Sequence, residues 1–276
     1  MNYRIMAVDM DGTLLNSRKQ VSPTDRAAVN RALEAGKEVV FSTGRCVGEL
    51  APFFPLFPKM RYAICESGSC IYDIQAQKPL LQKSLDPALV KVILEYAEKK
   101  DICPQVLTHP SCMTKKSCLG NLAHYQIPEF EAHFANNTLP VEDLLAEIGK
   151  RDWIADKICL YHTDTEAREE TLAFVQGMNL VPVFAERTSL EVTAPGAEKG
   201  LGLEWLCNYL GCSLAESIAV GDNMNDESVL RRAGLPCAVG NAVPEIKAIC
   251  KAVVADHDHG GVAEVVDRFL LNCFTK

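Results

Sequence analysis

The stretch Tyr3-Arg4-Ile5-Met6-Ala7-Val8-Asp9-Met10-Asp11-Gly12-Thr13 is an apolar run of strand length that ends abruptly in a polar loop. Ile5 to Val8 shows no polar alternation, which is the pattern of a parallel strand buried on both faces. Two aspartates flanking one residue, followed by Gly-Thr, set two carboxylates beside each other at a strand end. One carboxylate can act as a nucleophile toward phosphorus while its neighbour handles a proton, provided a cation offsets their repulsion. Asp and Gly are also ordinary turn residues, so the same letters fit a solvated turn.

Working outward, Ser22-Pro23-Thr24-Asp25 opens a helix with Ser22 as N-cap and Pro23 in the first turn, and Gly36 closes it. Glu38 to Phe41 reads as the next strand and ends in Ser42-Thr43-Gly44-Arg45; Tyr62 to Cys65 reads as a third, after a Pro-broken aromatic stretch from Phe53 to Pro58. Strand, helix, strand in this order predicts a doubly wound parallel sheet. The same grammar returns later: a helix from Gly200 to Leu210, a strand at Ser217 to Val220 running into Gly221-Asp222-Asn223, and short strands at Cys237 to Val239 and Ala252 to Val254. Between Leu85 and Arg187 the texture changes to helices at 86–100, 141–150 and 164–178 around strands at Lys157 to Tyr161 and Leu180 to Phe184. The expected architecture is α/β: a Rossmann-like core formed by residues 1–84 and 188–276, with an inserted α+β domain at 85–187.

Composition narrows the function classes. With 48% hydrophobic and 23% charged residues the chain has ample core material, which excludes a disordered or collagen-like protein. The balance of 28 Lys+Arg against 36 Asp+Glu, a net −8, offers no general attraction for a phosphate backbone or an anionic membrane surface, so neither nucleic acid nor membrane is an expected partner. No stretch approaches the roughly 18–20 apolar residues of a spanning helix, and the N-terminus runs straight into a strand without a signal-peptide pattern, so a cytoplasmic protein is expected. The twelve cysteines do not read as a disulfide set, because Cys65, Cys159, Cys207, Cys237 and Cys250 sit in apolar periodic segments, as small hydrophobes do in a reducing compartment. There is no CxxC; Cys112 and Cys118 come nearest to metal spacing but lack a second pair, so no zinc site is expected.

Other polar groups fall at the ends of other predicted strands, where open α/β sheets gather their ligands. Thr43 offers a hydroxyl and Gly44 an unhindered amide to an anion, Lys199 a point charge, and Asp222 and Asp226 hard oxygen ligands for Mg²⁺. Taken singly each has a plainer role: a strand-to-helix turn with Arg45 in solvent, a surface lysine in a first helical turn, an Asn/Asp-rich N-cap.

Taken together, these segments resemble the haloacid dehalogenase-like superfamily, specifically its Cof-type phosphatases with a C2B-type cap. Asp9-Met10-Asp11-Gly12-Thr13-Leu14-Leu15 is similar to that family's first motif, Thr43-Gly44-Arg45 to its second, Lys199-Gly200 to its third and Gly221-Asp222-Asn223-Met224-Asn225-Asp226 to its fourth. Gly240-Asn241-Ala242 and Gly260-Gly261-Val262-Ala263 resemble its closing signatures. The resemblance implies that Asp9 takes the phosphoryl group and that Asp11 protonates the leaving alcohol and then activates water. It implies that Thr43, Gly44, Arg45, Lys199 and Asn225 contact phosphate or substrate. Mg²⁺ would be held by Asp9, the Asp11 carbonyl and Asp222, with Asp226 orienting Lys199 or a metal-bound water. The insert would be the cap that sets the leaving-group pocket, and the partner would be a small phosphorylated metabolite, met by a monomer or small homo-oligomer.

The chain departs from the family pattern at Glu66-Ser67-Gly68-Ser69, where Asn-Gly is common, and at Gly196-Ala197-Glu198-Lys199, where Glu198 puts a carboxylate beside the lysine. Asp256-His257-Asp258-His259 alternates possible ligands, but alternate residues of an extended loop need not converge, and no second metal is expected there. His109, His124 and His133 in the insert could contact substrate, but a solvated or core histidine is the expected role for each. Two further readings stay open: a phosphomutase, which shares the paired-aspartate chemistry, and a phosphometabolite-binding regulatory module without turnover.

Overall fold

A computed structural model describes residues 2–108, 111–150 and 154–273, apart from the side chains of Glu129, Ala132 and His133. Its strands are, in chain order, β1 (Ile5–Val8), β2 (Glu38–Ser42), β3 (Tyr62–Cys65), β4 (Cys70–Asp73), β5 (Lys78–Gln82), β6 (Cys103–Thr108), β7 (Ser111–Lys115), β8 (Thr138–Val141), β9 (Ala155–Tyr161), β10 (Val181–Phe184), β11 (Ser189–Thr193), β12 (Ser217–Gly221), β13 (Leu235–Ala238) and β14 (Ala252–Val253). They form two sheets, ordered β14-β13-β12-β1-β2-β3-β4-β5 and β10-β11-β9-β6-β7-β8.

The first sheet is parallel from β14 through β3, and β4 turns back antiparallel to β3. At its centre every residue of β1 is buried, as an apolar run flanked by β2 and β12 requires. The helix Pro23–Glu34 begins as its sequence predicts: Ser22 Oγ accepts from Asp25 N, Pro23 takes the first turn, and Gly36 beyond the end has φ +77°. The architecture is therefore the expected α/β core with a doubly wound parallel sheet.

The second sheet is mostly antiparallel, with β7 and β8 the parallel pair. Its apolar residues Val106, Ile158, Leu160, Leu190 and Val192 pack with Val90, Ile93 and Leu94 of the helix Pro87–Lys99. The opposite face carries Gln105, Lys157, Cys159, Tyr161 and Glu191, also buried.

By backbone contacts the first unit comprises 1–44, 52–81 and 198–276, and the second 45–51 and 82–197. The insert is thus wider than the 85–187 read from sequence. Ser189–Thr193, assigned there to the core, pairs with β9 and β10 in the second sheet, because its mixed polar and apolar letters suit a half-polar antiparallel strand. The helix expected at 141–150 starts only at Leu144, since Val141 closes β8. Strands β6, β7 and β8 lacked the continuous apolar run that would have announced them.

Candidate active site

In the first unit, β1 and β12 lie side by side, so the loops after them meet at one edge of the sheet. Asp9 follows β1 directly and its N–H donates to Val220 O at 3.0 Å, which extends the ladder one residue past the strand. Lys199 opens the helix Lys199–Leu210, and its Nζ donates to Asp9 Oδ1 and to Asp226 Oδ1, both at 2.7 Å. All three residues are at most 5% exposed, so these charge-assisted bonds lie out of reach of bulk screening.

Asp226 is fixed from behind, its Oδ2 accepting from Asp222 N at 3.0 Å and Asn223 N at 3.4 Å. Asp222 is half-buried and accepts at Oδ1 from Thr13 Oγ1 at 3.0 Å. One carboxylate oxygen from each of Asp9, Asp222 and Asp226 falls within a mutual 4.8 Å. Gly12, at φ +79°, lets the first loop come this close: a Cβ there would lie 2.4 Å from Asp222 Oδ2.

Electrostatics mark the cluster as built for more positive charge. Burial, reinforced by the Asp226 and Asp222 carboxylates and opposed by Lys199, holds the Asp9 carboxyl well above the ordinary carboxylate range. Burial alone would drive the Lys199 ammonium down, yet Asp226 and Asp9 hold it above its ordinary value. Three carboxylates around one ammonium leave a local excess of two negative charges if all are ionised, and a divalent cation on the clustered oxygens would cancel it. The oxygen-only donor set fits a hard cation.

The other predicted residues are distributed as follows. Asp11 sits beside the cluster in sequence, but its Oδ1 accepts from Lys19 Nζ at 3.0 Å, an ion pair open to solvent. Thr43 is buried, its N–H bonded to Ile64 O and its carbonyl accepting from Ser67 N, which ties the second motif to the turn after β3. Gly44 closes this segment of the first unit, whereas Arg45 already belongs to the second. Asn225 is half-buried in the turn Met224–Asp226.

Of the two departures, Ser67 lies in the turn after β3 with φ +58°, directly after Glu66 at φ +53°. Gly68, at φ +99°, approaches the Glu198 backbone so closely that a Cβ would meet its carbonyl carbon at 2.3 Å. Glu198 itself is the N-cap of the lysine helix and makes no side-chain capping bond.

The Asp256 to His259 run is used to tie loops together. Asp258 accepts from Ser17 N and Oγ, His259 Nδ1 pairs with Asp256 Oδ1 at 2.6 Å, and His257 N donates to Asn241 Oδ1. In the second unit His124 is held by Asp101 at 2.7 Å; His109 and the side chain of His133 lie outside the described residues. Sequence reading gave no separate role to Thr13 or Asn241, whose Nδ2 donates to Gly12 O at 2.7 Å. Both lie within quoted motifs, but their partners are more than 200 residues away.

Comparison with known proteins finds relatives along nearly the whole chain. Residues 6–266 match the family described as haloacid dehalogenase-like hydrolase. Phosphatase YwpJ of Bacillus subtilis is 28% identical over 97% of this chain and 100% of its own length. Pyridoxal phosphate phosphatase YbhA of Escherichia coli is 27% identical over 98% and 100%. A solved haloacid dehalogenase-like hydrolase from B. subtilis superposes with a TM-score of 0.87 at 27% identity, covering 97% of this chain and 100% of that one. With that family's model matching residues 6–266 and the phosphatases YwpJ and YbhA aligned over their whole length, the chain belongs to the haloacid dehalogenase-like hydrolases.

Proposed function

We propose that this protein is a Mg²⁺-dependent phosphatase of small phosphorylated metabolites that works through a phosphoryl group carried on Asp9. The observation behind this reading is Lys199 Nζ bonded at 2.7 Å to both Asp9 and Asp226, with Asp222 in the same oxygen cluster. Asp9, the Asp11 carbonyl and Asp222 would hold Mg²⁺, which when bound supplies charge neutralisation for the incoming phosphate. Lys199 holds Asp9 Oδ1 in a fixed direction, leaving the other carboxylate oxygen to attack phosphorus. Its ammonium, with the Thr43 hydroxyl, Gly44 N–H and Asn225, takes up charge on the phosphoryl oxygens, since phosphoryl transfer is chiefly a matter of positioning and cations.

Asp11 delivers a proton to the leaving oxygen and then accepts one from the attacking water, with Lys19 steadying its carboxylate between turns. Relatives named for pyridoxal phosphate and for HMP-PP support a metabolite of that size over a macromolecule. The cytoplasm, where such metabolites are made, is the proposed location.

The test is release of p-nitrophenol from p-nitrophenyl phosphate with Mg²⁺. Activity should vanish with EDTA and in Asp9→Asn, and Asp11→Asn should lose about 10²–10⁴-fold while still binding substrate. Full activity in Asp9→Asn would remove the nucleophile from this scheme. A panel of phosphorylated metabolites ranked by kcat/KM then identifies the substrate.

A further inference from the structure

The second unit holds another cluster of ligand-type side chains. Cys46 is the N-cap of the short helix Val47–Leu50, and its N–H donates to Glu49 Oε2 at 2.7 Å, which folds the carboxylate back over the helix start. Cys112, on β7, has its Sγ 3.3 Å from Asn137 O and 3.8 Å from Glu49 Oε1. Cys46 Sγ, Cys112 Sγ and a Glu49 oxygen lie within 4.8 Å of one another, and none of the three residues is more than 4% exposed.

We infer that Cys46, Glu49 and Cys112 form a binding site for a thiophilic divalent cation of the Zn²⁺ class. Two sulfurs and one carboxylate make a borderline-soft donor set, which disfavours Mg²⁺ and Ca²⁺ and suits Zn²⁺. Bonds of about 2.0–2.3 Å place tetrahedral ligand atoms roughly 3.5–3.8 Å apart, so each pair has to close by no more than about 1.3 Å. Glu49 is oriented by a backbone N–H, and Gln105 Nε2 donates to Cys112 Sγ at 3.3 Å, which fixes the position of the sulfur.

Thr138 Oγ1 lies 3.4 Å from the same sulfur. The ion pair of Lys157 with Glu191, at 2.8 Å, brings further buried charge to the same sheet face, and Cys159 Sγ lies 3.8 Å from Glu191 Oε1. Three protein ligands leave the fourth position of the cation open.

This site shares no residue with the carboxylate cluster around Asp9, and its test distinguishes the two. Reduced, EDTA-treated full-length protein is titrated with Co²⁺, which gives near-ultraviolet charge-transfer absorption only when bound by thiolate. One equivalent should produce the band, and Zn²⁺ should displace it. The band should be lost in Cys46→Ser and Cys112→Ser, unchanged in Asp9→Asn, and saturate at about 10–100-fold higher Co²⁺ in Gln105→Leu. No band in the wild type, or a full band in Cys112→Ser, overturns the inference. Should the serine variants fail to fold, X-ray absorption on the Zn²⁺-loaded wild type decides: two sulfurs with oxygen ligands support the site, and none or four refute it.

Discussion

Thr13 Oγ1 donates to Asp222 Oδ1 at 3.0 Å, joining the loop after β1 to the loop after β12 across 209 positions of sequence. Thr13 is fully buried, so this hydroxyl has been withdrawn from water to aim one carboxylate. The bond makes Asp222 a fixed group of the site instead of a mobile turn residue.

Thr13→Val keeps the shape and removes the donor. On the proposed function, the Mg²⁺ concentration for half-maximal phosphate release should rise about 10–100-fold, as for outer-shell partners of metal ligands. Metal titrations of the two proteins at fixed substrate check this; superimposable curves would mean that Thr13 serves packing alone.

Gly12→Ala combines two penalties, a side chain at φ +79° and a Cβ 2.4 Å from Asp222 Oδ2. Stability should fall by more than about 1 kcal/mol and metal-dependent turnover should fall with it. Urea denaturation beside the assay separates this from Gly36→Ala, where φ is +77° but no atom lies within 4 Å. That variant should lose stability and keep its activity.

Lys199→Met leaves Asp9 and Asp226 buried without their shared cation. Removing one partner of a buried pair typically costs about 3–5 kcal/mol, so a loss of that order is expected in denaturant titrations. Adding Asp226→Asn should recover part of it, since one carboxylate fewer is then left uncompensated. Additive losses in the double variant would contradict the coupling.

His162, fully buried in the second unit, lies 2.8 Å from Thr188 O through Nδ1 and 2.9 Å from Thr171 Oγ1 through Nε2. Burial lowers its pKa below the ordinary 6.5. A depressed folded-state value means that its stabilisation is full above 6.5 and drains away as pH falls through the folded value, because the unfolded chain takes the proton first. Wild-type stability should drop between about pH 7 and pH 5, and His162→Asn should flatten that part of the slope. An unchanged slope would assign the loss to other groups.

The parallel core was legible because its strands announce themselves. Ile5–Val8 is apolar throughout, buried on both faces, and stops at the residues that carry the chemistry. Asp9, Lys199, Asp222 and Asp226 stood out for the same reason, since each follows a strand or opens a helix at one edge of the sheet. The second sheet was harder to read. Ser111–Lys115 and Ser189–Thr193 mix polar and apolar letters, because one face of that sheet packs on helices while the other buries Gln105, Lys157 and Glu191.

Local order along the chain thus determined the α/β class, the strand ends and the types of side chain placed there, because burial and turn formation act over a few neighbouring residues. Only the tertiary structure decided which of those side chains meet. Asp11 turns to Lys19, Thr13 reaches Asp222, and Cys112 comes up against Glu49 from 63 positions away. Such pairings depend on which strands lie side by side and on where a missing Cβ, as at Gly12, lets two loops close together.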